Sequence, residues 1–227
     1  MIRYPVMTLI FAFGFATLCS SQKKDEYFSP SLALRTNPFS VLEVDGGIML
    51  GVRYQWSQRF AAVIDPTFIF FNFYQNTNSN VNGQPIGIKI RSDIRYYLNR
   101  YVPGRNRFFI APELHLKYIT TKKWDNFGIN CIGQQCDYYM NAMYKEIKKE
   151  TGAALKMGAE VRLDKKDLWS FEIYGGLGFK IYHLKQKDIP VGGVFTFPPE
   201  NNNVFEFQEG TAIPVLPASI KIAYKIF

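Results

Sequence analysis

Histidine and cysteine are nearly missing from this chain: its 227 residues include two of the first and three of the second. No Cys and His cluster has the spacing of a metal site, and no Gly-rich loop has the pattern that cradles phosphate. After residue 21 there is also no run of about eighteen apolar side chains, which excludes a membrane-spanning helix in that part. A Pro-, Gly- or Ser-rich linker is lacking too, so the length reads as one domain.

What the chain does have is aromatic residues, 16% of the total, and a way of dispersing them. The clearest example runs from Trp169 to Tyr182. Trp169, Phe171, Ile173, Leu177, Phe179 and Ile181 fall on one face, while Ser170, Glu172, Tyr174, Lys180 and Tyr182 fall on the other. A period of two is that of a β-strand. The stretch outlasts an ordinary strand of five or six residues and suffices for a tilted strand crossing a bilayer.

The N-terminus differs in kind. Arg3, the apolar run from Val6 to Leu18 and the small residues Cys19-Ser20-Ser21 read as a signal peptide over 1–21, cleaved before Gln22. An acylated Cys19 is the alternative, although Leu18 stands where a lipoprotein signal places a small residue. Export makes nucleic acid a poor partner for the net charge of +8 and leaves anionic lipid headgroups as a suited neighbourhood. In an oxidising compartment Cys131 and Cys136 are expected to close a disulfide.

After a short segment at 22–30, alternation predicts eight strands within 31–227. The first runs from Ser31 to Val44, irregular at Pro38, and a hairpin turn at Asp45-Gly46-Gly47 leads to the second, from Ile48 to Trp56. The others start near Phe60, Ile86, Phe108, Ala153, Trp169 and Ile220. Links after the second, fourth and sixth strands are short. Those after the third, fifth and seventh, near 72–85, 121–149 and 185–210, are long, and in the last of them GVFTF and NVFEF suggest a separate hairpin. Trp56, Phe60, Tyr96, Phe108 and Trp169 gather beside the short links, and Phe70, Phe73, Tyr118 and Tyr182 toward the long ones, as two aromatic girdles would.

These features predict an all-β fold, an eight-stranded antiparallel transmembrane β-barrel wound as an up-and-down meander. A soluble, lipocalin-like barrel with an apolar interior is the rival, because periodicity does not say which face points inward. With the polar face inward, Arg53, Asp65, Arg91, Asp93, Arg95, Glu113, His115, Lys117, Lys156, Glu160, Arg162, Glu172 and Lys180 would line a narrow lumen, along with Arg35 and Lys221. Pairing among them would close the interior rather than leave a conducting path.

The opening LRTNPFSVLEVDGGIMLGVRYQW, the strand GGLGFKIY, the C-terminal IKIAYKIF and the signal sequence ending Cys19-Ser20-Ser21 resemble the small bacterial outer-membrane β-barrels, in their uncharacterised, domain-of-unknown-function branch. That resemblance implies integral residence in the outer membrane of a Gram-negative cell. It also implies contact with membrane lipids and lipopolysaccharide, and insertion by the barrel-assembly machinery, which recognises a last strand ending in an aromatic residue. Phe227 supplies that residue. Lys225, Ala223 and Lys221 stand two, four and six positions before it, where those proteins usually place apolar side chains.

For catalysis the chain offers little. His115 lies on the polar face beside Glu113 and Lys117, and His183 near a strand end; neither HLK segment brings the nearby serine that a Ser-His-acid site needs. Glu160 and Glu172 could meet across neighbouring strands, with Arg162 and Lys156 beside them as salt-bridge partners. No enzyme and no cofactor is expected. The leading expectation is a structural or interaction barrel whose long loops meet a protein partner, as an accessory of an outer-membrane complex. A conduit or binding barrel for a small hydrophobic molecule, opening laterally near Pro66, Pro112, Pro214 or Pro217, is the second, and a lipid-modifying enzyme the third.

Overall fold

The computed structural model describes residues 28–43, 45–72, 84–102, 105–132, 135–164, 166–195 and 210–227. The expected signal peptide, the girdle residue Phe73 and the NVFEF segment lie outside them. The described strands are β1 (Ser31–Thr36), β2 (Asp45–Gln55), β3 (Phe60–Asn72), β4 (Ile86–Tyr97), β5 (Arg107–Ile129), β6 (Tyr138–Arg162), β7 (Trp169–Lys187), β8 (Gly193–Phe195), β9 (Ile213–Val215) and β10 (Ala218–Lys225). β1 to β7 pair in chain order, and β10 pairs with both β7 and β1, closing eight antiparallel strands into a ring. No α-helix occurs among the described residues.

Alternate side chains point to opposite sides of such a wall, and burial separates the two sets. Lys156, Glu160, Glu172 and Lys221 are 0% exposed, whereas Leu50 is 63% and Leu177 70% exposed. The ring turns most of its strand charges inward and most of its Leu, Ile and Phe outward, the reverse of what water selects. The lipocalin-like arrangement, which needs apolar side chains inside, is thereby excluded. Room for the interior comes partly from glycine. A Cβ on Gly158 would lie 2.6 Å from the Phe109 ring and 2.7 Å from the Tyr174 Cβ, so both rings can pack inside only over a bare backbone.

The first hairpin departs from expectation. β1 ends at Thr36, and a 3-10 turn over Pro38–Leu42 follows, begun by the Asn37 side chain accepting from the Phe39 amide at 2.9 Å. Pro38 has no N–H to continue the ladder, so the chain leaves the sheet there. Asp45-Gly46-Gly47 is part of β2 instead of a turn, since neither glycine takes the positive φ that a two-residue hairpin turn requires. The two glycines mark a register shift against β3, and Ser40 donates to the Gly47 carbonyl at 2.6 Å.

The second departure is larger. Most of 121–149, expected as a loop, is sheet: β5 and β6 pair without a break from Arg107↔Glu160 to Ile129↔Tyr138. The last β4 pair is Ile86↔Thr120, so Thr121–Ile129 rises about 30 Å past that neighbour. Its Thr, Lys, Asp and Asn are polar on both faces, which removes the apolar-polar contrast that alternation reads. GVF of the expected outer hairpin forms β8, but it pairs with Phe127–Ile129 of β5, and Phe127, Tyr144 and Phe195 pack as a small cluster there.

Candidate functional site

Among the described residues the ring's interior is where charged side chains concentrate, and it divides into two levels. At the level nearer the short links, Glu172 of β7 receives Arg35 of β1, Arg53 of β2 at 2.8 Å and Arg95 of β4 at 3.0 Å. Glu160 of β6 receives Arg53 at 2.9 Å, Arg107 at 3.0 Å and Arg162 at 3.1 Å, and the Tyr97 hydroxyl donates to it at 2.9 Å. Lys156 donates to Asp93 and Glu113, both at 2.6 Å. Lys221 and Arg35 meet Asp65.

Glu160 and Glu172 face each other directly across β6 and β7, an arrangement that repels unless cations intervene. Arg53 bridges both. Lys156, placed beside them by sequence, reaches Asp93 and Glu113 instead. Aromatic faces take up further positive charge: Arg107 lies 3.9 Å from the Tyr97 centroid, Arg95 4.3 Å from Phe109, and Lys156 4.5 Å from Tyr174. Taking so many ions out of water costs several kcal/mol each. Glu172, Glu160, Asp93 and Asp65 are each met by at least two cations and Glu113 by Lys156, which offsets that cost and leaves the level packed.

The second level, nearer the long links, is looser. Glu43 is shared by Lys89 and Arg91, Lys117 joins Asp45 and Glu150, and Lys148 and Lys180 also meet Glu150, at 3.0 and 3.7 Å. His115 stands opposite Arg91, with its Nε2 buried and unpartnered. Among the described residues no serine is paired with it. His183, at the far end of β7, lies opposite Lys149. Among the described residues no group of three or more His, Cys, Asp or Glu side chains could hold a metal ion.

On the outer wall near the short links, Trp56 stacks between Tyr54 and Phe60, Phe60 meets Tyr96 at 5.4 Å, and Trp169 meets Tyr224 at 4.8 Å. Phe108 is exposed alongside. Toward the long links Phe70 and Tyr118 are exposed, with Phe68. Tyr182 does not join that outer band: it stands opposite the buried Glu150 and so shares the face of Lys180 and Glu172. Cys131 and Cys136 are disulfide-bonded at the tip of the β5–β6 ribbon.

Sequence reasoning left out Tyr97, Arg107, Glu150 and Gln55, whose Oε1 accepts from Arg107 at 3.0 Å. Extending the β5 alternation one residue back from Phe108 would have found Arg107, and extending β6 back from Gly152 would have found Glu150. Comparison with protein-family models, with curated proteins and with solved structures returns no match for this chain.

Proposed function

We propose that the ring is a transmembrane β-barrel of the bacterial outer membrane, closed to conduction by its inner ion pairs. In this reading it acts as a structural or interaction protein, an accessory of a larger outer-membrane assembly, and not as an enzyme. The observation that carries the reading is the inversion of faces: Ile64, Phe68, Leu114, Leu116, Leu155 and Leu177 are exposed all round a wall whose interior is ionic. A surface of this kind is stable in hydrocarbon and unstable in water. The aromatic bands beside both sets of links suit the two membrane interfaces.

The β5–β6 ribbon supplies the interaction surface. It carries exposed Trp124 opposite Met143, and exposed Tyr138 and Tyr139 near the disulfide, side chains suited to a protein contact. Outer-membrane fractionation followed by gel migration of unheated and boiled samples tests location. Heat-dependent migration in the membrane fraction is expected, and a soluble protein without it sinks the reading. Planar bilayers should stay silent; steady anion-selective openings would show the lumen to be a path. Tagged purification in mild detergent should recover a stoichiometric protein that is lost when the ribbon is replaced by a tight turn.

A second reading, binding of a small hydrophobic molecule, is favoured by an apolar concavity of about 530 Å³ lined in part by Ile64, Leu114, Leu155, Leu177 and Phe179. Leu155→Trp would fill it, and loss of a co-purifying apolar compound in that variant would support this reading over the first.

A further inference from the structure

The outer level of the lumen is left with more positive charge than its own carboxylates balance. Among the described residues, Lys89, Arg91, Lys117, Lys148 and Lys180 form salt bridges to Glu43, Asp45 and Glu150 only. The register makes the crowding explicit. Lys89 of β4 is the direct partner of Lys117 of β5, and Arg91 is the direct partner of His115, two pairings that give no attraction of their own. Gly152, opposite both His115 and Lys180, has no side chain to separate them, and a Cβ there would lie 3.1 Å from that of Lys180.

Two buried nitrogens in this group lack a hydrogen-bond partner, Arg91 Nε and His115 Nε2, the second a donor in the Nε2–H tautomer, and so does the Glu150 Oε1 atom, which faces Lys148. A buried donor without an acceptor is costly, and here two of them adjoin a cluster with two positive charges in excess. The inner level closes the site from below, where Lys156 is locked between Asp93 and Glu113. On the other side exposure is uneven, 4% at Lys89 and 8% at Lys117 but 19% at Arg91, 29% at Lys180 and 33% at Lys148. This basic cluster, closed at the inner level and partly exposed to solvent at Arg91, Lys180 and Lys148, is the vestibule of the lumen.

We propose that this vestibule binds a phosphate group, with Lys89, Arg91, Lys117 and Lys180 as its direct contacts and His115 as a further donor. A phosphomonoester carries nearly two negative charges at neutral pH and several strong acceptor oxygens, which matches both the excess charge and the unpartnered donors. Arg91 gives a planar donor set and the lysines give mobile point charges, the usual division of labour around phosphate. The site rests on the barrel reading above, and two sources of the group are compatible with it. A soluble phosphate would enter by the open end. A lipid headgroup would enter beside the Pro38–Leu42 turn, where β10 from Ala218 to Lys221 has no β1 partner and the Asn37 side chain ties the turn to Ser219 at 3.1 Å.

The test uses the full-length protein folded in detergent, with pyrophosphate as the soluble probe titrated calorimetrically at constant ionic strength in chloride. In parallel, lipid phosphorus retained by the washed protein is measured. Lys89→Gln and Lys117→Gln remove contacts, and Lys149→Gln, on the exposed outer face, is the control. Pyrophosphate binding that weakens about tenfold in either single variant, the loss of one charge-assisted contact, but not in the control supports the site and a soluble source. About one retained phosphorus per chain, lost in the double variant, supports the site and a lipid source. Neither signal, or either signal unchanged by the substitutions, overturns the proposal. Each sample is also run unheated and boiled: heat-dependent migration without binding refutes the site alone, whereas its loss in the unaltered protein refutes the barrel. If the lysine variants do not fold, Lys180→Gln at the rim is read in their place.

Discussion

Glu172 is the residue whose replacement tests most directly whether the inner level is a packed ionic core. Its carboxylate is wholly buried and serves Arg35, Arg53 and Arg95 at once. Each of those arginines keeps one other carboxylate: Asp65 at 3.5 Å, Glu160 at 2.9 Å and Asp93 at 3.1 Å. Glu172→Gln preserves the volume and an acceptor oxygen but removes the charge, so three buried guanidiniums lose a counter-ion while none loses its last. Removing one partner of a buried pair costs about 3–5 kcal/mol, and the shared arginines place this case within that range. Urea unfolding in lipid vesicles, followed by tryptophan fluorescence and by heat-dependent migration, measures it. Glu172→Met combined with Arg95→Met should cost less than Glu172→Gln alone, because both charges then leave together. A change below about 1 kcal/mol in Glu172→Gln would refute the reasoning, since only water screening the interior could make that charge dispensable.

Leu114, exposed on the outer wall midway between Phe108 and Tyr118 along β5, should tolerate Arg at a cost of about 2–4 kcal/mol in vesicles if hydrocarbon surrounds it; a neutral result would place water there. Gly51→Val should destabilise by about 1–3 kcal/mol, because a Cβ at Gly51 meets the Asp65 carboxylate and pushes it from Lys221; the same unfolding assay reads it. Asp164 accepts from the Trp169 and Leu168 amides at 2.8 and 3.2 Å, and these bonds hold its carboxyl below the usual value. Its contribution to the β6–β7 turn is therefore complete above pH about 4 and fades as pH falls through the lowered value. The protection factor of those two amides against hydrogen exchange, which removes the intrinsic pH dependence of the rate, should fall in acid and already be low at neutral pH in Asp164→Ala, and a pH-independent protection factor would contradict the assignment. Replacing both Cys131 and Cys136 by Ser should free the ribbon tip, about 2 kcal/mol of loop closure, and raise proteolysis there while the unfolding midpoint of the wall stays unchanged.

Legibility along the chain followed contrast. Where an apolar side faces a polar one, as in Trp169–Tyr182 or Ile86–Leu98, the strand and its two faces could be read directly. Contrast fails in Thr121–Ile129, polar on both sides, and the ribbon was taken for a loop. The Asp-Gly signal at 45–47 misled for another reason: a turn preference is local, while Pro38 had already taken the chain out of the sheet and left those glycines to pair with β3. Within the site, Asp93, Glu113 and Lys156 were legible from parity alone, whereas Tyr97 and Arg107 lay just beyond the stretches counted as strand.

Local chemistry determined that this chain forms long antiparallel strands with one charged and one apolar face, because a period of two is written residue by residue and needs no partner to be recognised. Closure decided the rest. Which face lies inside, and that Glu172 meets Arg35 and Arg53, 137 and 119 residues away, depend on β10 reaching both β7 and β1 and on the register of each pairing. A one-residue slip would have turned every charge outward, and only the folded ring fixes that choice.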